Sequence, residues 1–224
     1  ISVHMPKTAG SSFQATLASH FGESLQLRYQ DRPLHRSAWS RNIDASKHCI
    51  SNRTPGSFGP GVRCIHGHFL PLRYRLAHAE APLLFVTWLR DPIQRLLSHY
   101  HYWQRSYQPQ ESGELHRRMI EENWTLEQFA LCREIRNLYG KFLWGFPMSR
   151  FDFIGITEDY AAELEHFGRL MLKSPVSMEE YNRNPDQGDE KYSLNASLRR
   201  SIERAHAADI KLYHRALAMR EKRR

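Results

Sequence analysis

The sequence feature that constrains the fold most is an almost uninterrupted apolar run at residues 83–89. Strands with apolar side chains on both faces are typical of parallel sheets that helices cover on both sides. The run ends in Arg90-Asp91-Pro92, where Asp91 can cap a helix and Pro92 can occupy its first position. Apolar residues then recur at helical spacing through residues 93–103. A buried strand that leads directly into an amphipathic helix predicts an α/β fold.

The rest of the chain repeats this alternation of short apolar segments and amphipathic ones. Further strands are predicted at residues 1–5, 64–69 and 151–156. Further helices are predicted from Ser12, near 125–131, 134–143 and 159–172, and from about residue 196. Residues 28–63 predict long loops with at most one short helix, and Pro175, Pro185 and Gly188 predict another loop. The pattern predicts a single three-layer domain over residues 1–224, with a central, mostly parallel sheet flanked by helices.

Composition limits the classes of protein to which the chain can belong. The chain of 224 residues is 41% hydrophobic and 12% aromatic, which excludes a disordered protein. Its most apolar segment is well short of the roughly 20 residues that a spanning helix needs, so no membrane span is predicted within the chain. Three cysteines without CxxC spacing are expected to be free thiols. Because the cysteines show no disulfide pattern and no membrane span is predicted, we expect a bacterial cytoplasmic location, with a trimmed Golgi luminal domain as the alternative.

The net charge of +8 is unevenly distributed along the chain. Residues 28–75 carry nine basic and two acidic side chains, whereas residues 110–190 carry nine basic and sixteen acidic ones. Residues 199–224 carry nine basic and three acidic side chains, and we expect a solvated helix end there. Basic stretches bind nucleic acid, anionic membranes, nucleotides or acidic glycans. The charge pattern therefore predicts an anionic partner for residues 28–75 without identifying it.

Residues 6–13, Pro-Lys-Thr-Ala-Gly-Ser-Ser-Phe, form a predicted turn between the first strand and the first helix. Backbone N–H groups and the positive end of the helix dipole converge at such a turn and attract anions. Lys7 adds a charge to this phosphate-loop-like site. The GxxxxGK[ST] loop of ATP-binding proteins is absent, because Lys7 precedes Gly10. On these residues alone, an anion site and an ordinary strand–turn–helix corner both stay open.

This turn resembles the 5′-phosphosulfate loop of sulfotransferases that use 3′-phosphoadenosine 5′-phosphosulfate (PAPS). The similarity is greatest to the carbohydrate-type branch that includes the heparan sulfate 2-O- and 6-O-sulfotransferases. Residues 89–100 resemble a second motif of the family, in which a strand-end arginine and a serine eight residues later bind the 3′-phosphate. Arg90 and Ser98 occupy those two positions. The two motifs occur in the order found in the family, and each follows a predicted strand, which favours a true resemblance over coincidence.

The resemblance implies an α/β enzyme that transfers a sulfuryl group from PAPS to a hydroxyl acceptor by in-line displacement, without a metal. It implies that Lys7 is catalytic, because the ammonium group would stabilise charge on the bridging oxygen. The residues that it assigns to the cofactor are Pro6, Lys7, Thr8, Ala9, Gly10, Ser11, Ser12, Phe13, Arg90 and Ser98.

A His66-Gly67-His68 segment lies in the second predicted strand, with both imidazoles on one face. The heparan sulfate 2-O-sulfotransferases have a His-Gly-His at the matching place, where histidine acts in catalysis. The resemblance implies that His68 is the general base, with His66 as its alternate or as a donor that positions the acceptor. Imidazole titrates near neutrality and suits the removal of a hydroxyl proton. A zinc site, which needs a third ligand that no spacing designates, and a structural histidine pair stay open as alternatives.

The acceptor is the part of the reaction that the sequence specifies least. Under the sulfotransferase hypothesis it is a carbohydrate or another acidic small molecule, and nucleic acid is not a partner. Four arginines are hypothesised to favour an anionic acceptor such as a carboxylated or sulfated sugar. They are Arg53, Arg63, Arg73 and Arg75. Two other functions stay open: a nucleotide-dependent phosphotransferase on a related fold, and a non-enzymatic module that binds heparin-like glycans or nucleic acid.

Overall fold

Five strands form the central sheet of the computed structural model, which describes residues 1–29, 31, 33–176 and 194–223. The strands are β1 (Ser2–Val3), β2 (Leu25–Arg28), β3 (Cys64–Gly67), β4 (Val86–Leu89) and β5 (Phe153–Ile156). Their order across the sheet is β2-β3-β1-β4-β5. All four strand pairings are parallel, with Ser2 opposite His66 on one side and Val86 on the other. The predicted α/β fold around a mostly parallel sheet is confirmed.

Nine α-helices accompany the sheet in the described part of the chain. They are α1 (Gly10–Phe21), α2 (Ala38–Ser51), α3 (Pro92–Arg105), α4 (Glu114–Glu121), α5 (Leu126–Leu131), α6 (Leu138–Phe142), α7 (Tyr160–Phe167), α8 (Ala196–Ala205) and α9 (Ala207–Arg223). A π-helical turn, Gly168–Leu172, extends α7.

Helices cover both faces of the sheet, as the apolar strand run predicts. Alternate strand side chains, including Val3, Ile65 and Leu89, pack in one cluster with the apolar residues of α6 and α9. Their neighbours on the opposite face, including Val86 and Trp88, pack with α1 and α7. Because successive side chains of extended backbone point to opposite faces, Ser2 in β1 and His4 directly after it point toward α1. A third cluster joins α3, α4, α5 and α8.

The polar region between the first and second predicted strands folds differently from the expectation. Residues 28–63 were expected to form loops with at most one short helix, but α2 is 14 residues long and β2 precedes it. Only two residues of α2, Ala45 and Cys49, are buried, because the helix packs mainly on the short 3-10 turn Pro71–Tyr74. With so narrow a buried stripe the apolar periodicity is weak, so the prediction was wrong there.

Other element boundaries also differ from the prediction. The helix predicted from residue 196 is two helices, and His206 between them holds their junction against α5 by a 2.8 Å hydrogen bond between its Nε2 and the Ala130 carbonyl oxygen. The helix predicted at 134–143 is limited to α6, and α4 was not predicted. Pro185 and Gly188 lie outside the described residues.

The basic C-terminal helix is not simply a solvated end. Arg220 and Arg223 form ion pairs with Glu163 of α7 at 2.6 Å each, and the Glu163 side chain is only 2% exposed. Arg220 also pairs with Asp159, and the Arg223 guanidinium lies 4.0 Å from the centroid of the Phe153 ring. The expectation was therefore wrong for these two arginines, which attach α9 to α7 and β5.

No helix among the described residues is long and apolar enough to cross a membrane. The cysteines are unpaired: Cys49 and Cys64 are buried, and Cys132 is half-buried.

Packing between β4 and β5 predicts a sharp difference between two glycine substitutions. A Cβ atom at Gly155 would lie 2.4 Å from Cε3 of the buried Trp88, whereas one at Gly140 in α6 would meet nothing within 4 Å. Gly155→Ala should lower the free energy of unfolding by about 1–3 kcal/mol through overpacking. Gly140→Ala should leave it unchanged or raise it by up to about 1 kcal/mol. Urea unfolding of both variants tests this, and equal stabilities would contradict the packing described.

Candidate functional site

The predicted site segments meet at one point of the sheet topology. From β1 the chain builds β2 and β3 on one side and then crosses to build β4 and β5 on the other. In open parallel sheets, ligands bind beyond the carboxyl ends of the strands where the strand order reverses in this way. Residues 4–9 follow β1 and Arg90 follows β4, so this edge brings together the two segments that the sequence singled out.

The loop after β1 has an unusual backbone conformation. Lys7 and Ala9 adopt positive φ angles of 65° and 60°, which non-glycine residues rarely do. The Thr8 hydroxyl donates to the Met5 carbonyl at 2.8 Å, and the Phe13 N–H donates to the Ala9 carbonyl at 3.0 Å. The N-cap residue of α1 is Ala9, whose methyl side chain offers no oxygen to cap the helix, and the positive end of the helix faces the loop.

Three cations gather beside this loop: Lys7, Arg90 and Arg105, here called the Lys7 cluster. The Lys7 ammonium nitrogen lies 3.7 Å from the ring centroid of Tyr102. Burial, with the charges of Arg105 and Arg90 adding to it, lowers the pKa of Lys7 to about 8. No member of the Lys7 cluster forms an ion pair with a carboxylate in the part of the chain that the structure describes. The cluster is a site of concentrated positive charge.

Helix α3 supplies one wall of this site. Asp91 caps it, its Oδ1 accepting the N–H groups of Ile93 at 3.0 Å and Gln94 at 2.9 Å, as predicted. Ser98, Tyr102 and Arg105 follow one another at spacings of four and three residues, which places them on one helical face. Ser98 was predicted as a site residue, but Tyr102 and Arg105 were missed. Their spacing from Ser98 is the signal that identifies them.

Some predicted loop residues have structural roles instead of open positions. Thr8 and Phe13 are each 1% exposed. The Thr8 hydroxyl braces the loop, and the Phe13 ring packs against Trp88 at 5.2 Å and Phe167 at 4.9 Å between centroids. A Cβ atom at Gly10 would lie 1.6 Å from His4 Nε2, so the glycine provides the space for that imidazole. Pro6 and Ala9 are half-buried, Ser11 is exposed and Ser12 is buried.

Three imidazoles stack next to the loop. The His4 ring centroid lies 5.3 Å from that of His66 and 4.3 Å from that of His68. Tyr29 closes the group, since its hydroxyl is 3.0 Å from His4 Nδ1 and donates to Gln14 Oε1 at 2.9 Å. The hydroxyl proton goes to the Gln14 oxygen, so His4 Nδ1 must donate to the hydroxyl oxygen. His4, Tyr29 and Gln14 were missed. The signal for His4 in the sequence is its position two residues after Ser2, which places both side chains on one face of an extended segment.

The hydrogen bond of His68 fixes its tautomer. Its Nδ1 lies 2.6 Å from the His4 carbonyl oxygen, which can only accept, so Nδ1 carries the proton and Nε2 carries the lone pair. Burial lowers the pKa of His68, although the bond to His4 partly opposes this shift and the charge of His35 adds to it. His68 is therefore a neutral imidazole at pH 7 with a basic Nε2, and its side chain is half-buried.

His66 is in a different environment. It is 1% exposed, its Nδ1 is 2.8 Å from Ser2 Oγ, and its buried Nε2 has no hydrogen-bond partner among the described residues. Burial, with the charge of His68 adding to it, lowers the pKa of His66 to about 3. This imidazole stays neutral and packed beneath His4, so of the two predicted histidines only His68 has an accessible side chain.

The four arginines predicted for the acceptor do not form one group. Arg73 pairs with Asp31 and lies 3.9 Å from Asp44. Arg75 donates to the Gly145 carbonyl at 3.2 Å and lines a cavity with Phe85, which lies at the amino end of β4. This cavity is at the edge opposite His68. Arg53 and Arg63 are exposed, and the Arg63 guanidinium lies 5.8 Å from the Phe21 ring centroid. The acceptor role of all four stays a prediction.

No group of three or more His, Cys, Asp or Glu side chains among the described residues is arranged to hold a metal ion. No model of a known protein family matches the chain, and a search of curated proteins finds none that is significantly similar.

The lowered pKa of Lys7 predicts that anion binding at the Lys7 cluster depends on pH. Because the anion binds the protonated ammonium group, the Kd for inorganic sulfate should rise as pH increases above about 8. The rise is expected to be at most about tenfold per pH unit for one linked proton. NMR titrations with sulfate at several pH values measure it.

Two variants isolate the contribution of Lys7. Lys7→Met should bind sulfate weakly and without this pH dependence. Lys141→Met is the matched control, because the pKa of Lys141 is also lowered to about 8 by burial, yet its Nζ donates to the carbonyls of Arg133 and Glu134 instead. A pH dependence of sulfate binding that is kept in Lys7→Met and lost in Lys141→Met would contradict the assignment of anion binding to Lys7.

Proposed function

We propose that the protein is a PAPS-dependent sulfotransferase that acts on a hydroxyl acceptor. One observation carries the proposal: the loop after β1, Arg90 after β4 and the neutral imidazole of His68 lie together at the topological switch point of a parallel sheet. An anion-binding loop and a cation cluster suit a donor with two phosphate positions. The adjacent imidazole suits removal of a proton. The resemblance of both sequence motifs to the sulfotransferase family supports the same function.

The residues present fit the donor. Two loop residues with positive φ and a helix start whose N-cap residue is an alanine are typical of a backbone concavity that holds phosphate oxygens. Lys7 would complete the 5′-phosphosulfate site, and Arg90 with Ser98 would bind the 3′-phosphate, for which the guanidinium group offers a fork of donors. The Lys7 cluster brings together positive charges that repel one another, and a bound polyanion would relieve that repulsion.

Bound PAPS supplies an activated sulfuryl group. The chain's own contribution is positioning, proton removal and charge stabilisation. His68 Nε2 would take the proton of the acceptor hydroxyl as the new oxygen–sulfur bond forms and the bond from sulfur to the bridging oxygen breaks. Lys7 would stabilise the charge left on that bridging oxygen. The neutral state and fixed tautomer of His68 support this role, and the buried ring of His66 favours a supporting one.

Donor binding is tested with adenosine 3′,5′-bisphosphate by isothermal titration calorimetry. Arg90→Ala should bind it at least about tenfold more weakly, because charge-assisted hydrogen bonds to the 3′-phosphate are lost. Arg150→Ala, an exposed arginine that lines the cavity at the opposite edge of the sheet, is the matched control and should bind normally. Unchanged affinity for adenosine 3′,5′-bisphosphate in a folded Arg90→Ala protein would contradict the proposal. Magnesium-dependent binding of ATP in its place would favour a phosphotransferase.

The general base is tested by comparing two histidine variants. His68→Asn should keep its affinity for adenosine 3′,5′-bisphosphate while turnover of PAPS with a responsive acceptor falls by about a hundredfold or more. His66→Asn should mainly lower thermal stability, since it disturbs a buried ring. In the wild-type protein, kcat/KM should be kept as pH drops through the ordinary imidazole range and fall only at lower pH, because His68 must be unprotonated and burial lowers its pKa. Full turnover in His68→Asn would exclude the assigned base.

A further inference from the structure

The peptide groups at the end of β4 are held by side chains instead of by the sheet. The Arg90 N–H donates to the Tyr139 hydroxyl oxygen at 3.0 Å, and that hydroxyl donates to the Arg90 carbonyl at 2.6 Å. One phenol therefore satisfies both polar groups of the Arg90 main chain. Tyr139 is completely buried, and burial raises the pKa of its hydroxyl, so the proton that it donates is retained.

Tyr139 is itself fixed at the start of α6. The N–H groups of Tyr139 and Gly140 each donate to the carboxylate of Asp209 at 3.1 Å. Asp209 belongs to the first turn of α9 and is completely buried. Helix α9 therefore sets the position of α6, and α6 sets the position of the Arg90 main chain.

A second contact holds the N–H side of the peptide group that joins Arg90 to Asp91. The Asp91 N–H donates to Glu158 Oε1 at 2.7 Å, and the Tyr213 hydroxyl of α9 donates to Glu158 Oε2 at 3.0 Å. Tyr139 thus binds both peptide groups that flank the Arg90 Cα atom, and Tyr213 acts through Glu158 on the second of them. Neither tyrosine belongs to the loop after β1 or to the wall formed by α3.

We propose that Tyr139 and Tyr213 are positioning residues that fix the Arg90–Asp91 turn, and with it the direction in which Arg90 presents its guanidinium group to a 3′-phosphate. The inference rests on the proposed function. A guanidinium group binds phosphate well only when its fork of donors is correctly oriented. A small rotation of the Arg90 main chain would move the donors by more than a hydrogen bond tolerates, since the side chain amplifies it. The two hydroxyls therefore confer selectivity for ligands that carry the 3′-phosphate, without touching the ligand.

The test compares two ligands that differ only in that phosphate. Calorimetry gives the Kd of adenosine 5′-phosphate divided by the Kd of adenosine 3′,5′-bisphosphate, which is the selectivity for the 3′-phosphate. Tyr139→Phe should lower this ratio by about tenfold, and Tyr213→Phe should lower it by a smaller factor because it acts through Glu158. Affinity for adenosine 5′-phosphate should stay close to the wild-type value in both variants.

Tyr100→Phe is the matched control. It also removes one tyrosine hydroxyl that donates to a main-chain carbonyl, that of Trp124 at 3.1 Å, but it does so in the cluster between α3 and α5. Its selectivity ratio should equal that of the wild-type protein even where its melting temperature falls. A merely structural role for Tyr139 would lower the affinity for both ligands together, or neither, and would overturn the inference.

The outcomes separate the two proposals. A wild-type protein without selectivity for the 3′-phosphate contradicts the proposed function itself. A selective wild-type protein whose selectivity is unchanged in a folded Tyr139→Phe variant contradicts only the positioning role. Should Tyr139→Phe fail to fold, Tyr213→Phe decides, because the inference requires its ratio to lie below that of Tyr100→Phe.

Discussion

The architecture of the site depends on how main-chain polar groups are satisfied where the parallel strands end. Beyond the last pair of each strand, N–H and C=O groups lose their sheet partners, and leaving them unpaired inside the protein costs about 1–3 kcal/mol each. Here side chains supply the partners: Thr8 for Met5 after β1, His68 for His4, and Tyr139 for Arg90 after β4. The same bonds that complete the sheet edge therefore orient the candidate functional groups.

Electrostatics at this edge follow from that geometry. Holding the loop after β1 against the end of β4 brings Lys7 toward Arg90 and Arg105, which helps burial to lower the pKa of Lys7. Such an arrangement is unfavourable without an anion, and tolerating it is typical of sites whose ligand carries the compensating charge. The imidazoles on the other side stay neutral because burial lowers the pKa of all three, and the neighbouring imidazoles add to this shift for His4 and His66. A group of cations and a group of neutral imidazoles thus lie side by side.

Sequence could predict the fold class and could single out two segments that meet at the candidate site, because each prediction rests on local signals. Three features can be recognised without knowledge of tertiary contacts: the apolar run at 83–89, the cap at Asp91 and the spacing from Arg90 to Ser98. By contrast, Tyr139 lies 49 residues from its partner Arg90, and Asp209 lies 70 from Tyr139, so no local pattern indicates either contact. The extent of helix α2 was underestimated because the helix buries few residues. The four arginines predicted for the acceptor do not form one group, because residues close in sequence, such as Arg73 and Arg75, contact different parts of the fold.

The most direct test of the central claim is a crystal structure of the protein with adenosine 3′,5′-bisphosphate. We expect the 5′-phosphate at the start of α1 beside Lys7, the 3′-phosphate within hydrogen-bond distance of Arg90 and Ser98, and His68 Nε2 facing the space beyond the 5′-phosphate. A nucleotide bound at any other place, or bound here with its 3′-phosphate directed away from Arg90, would contradict the account.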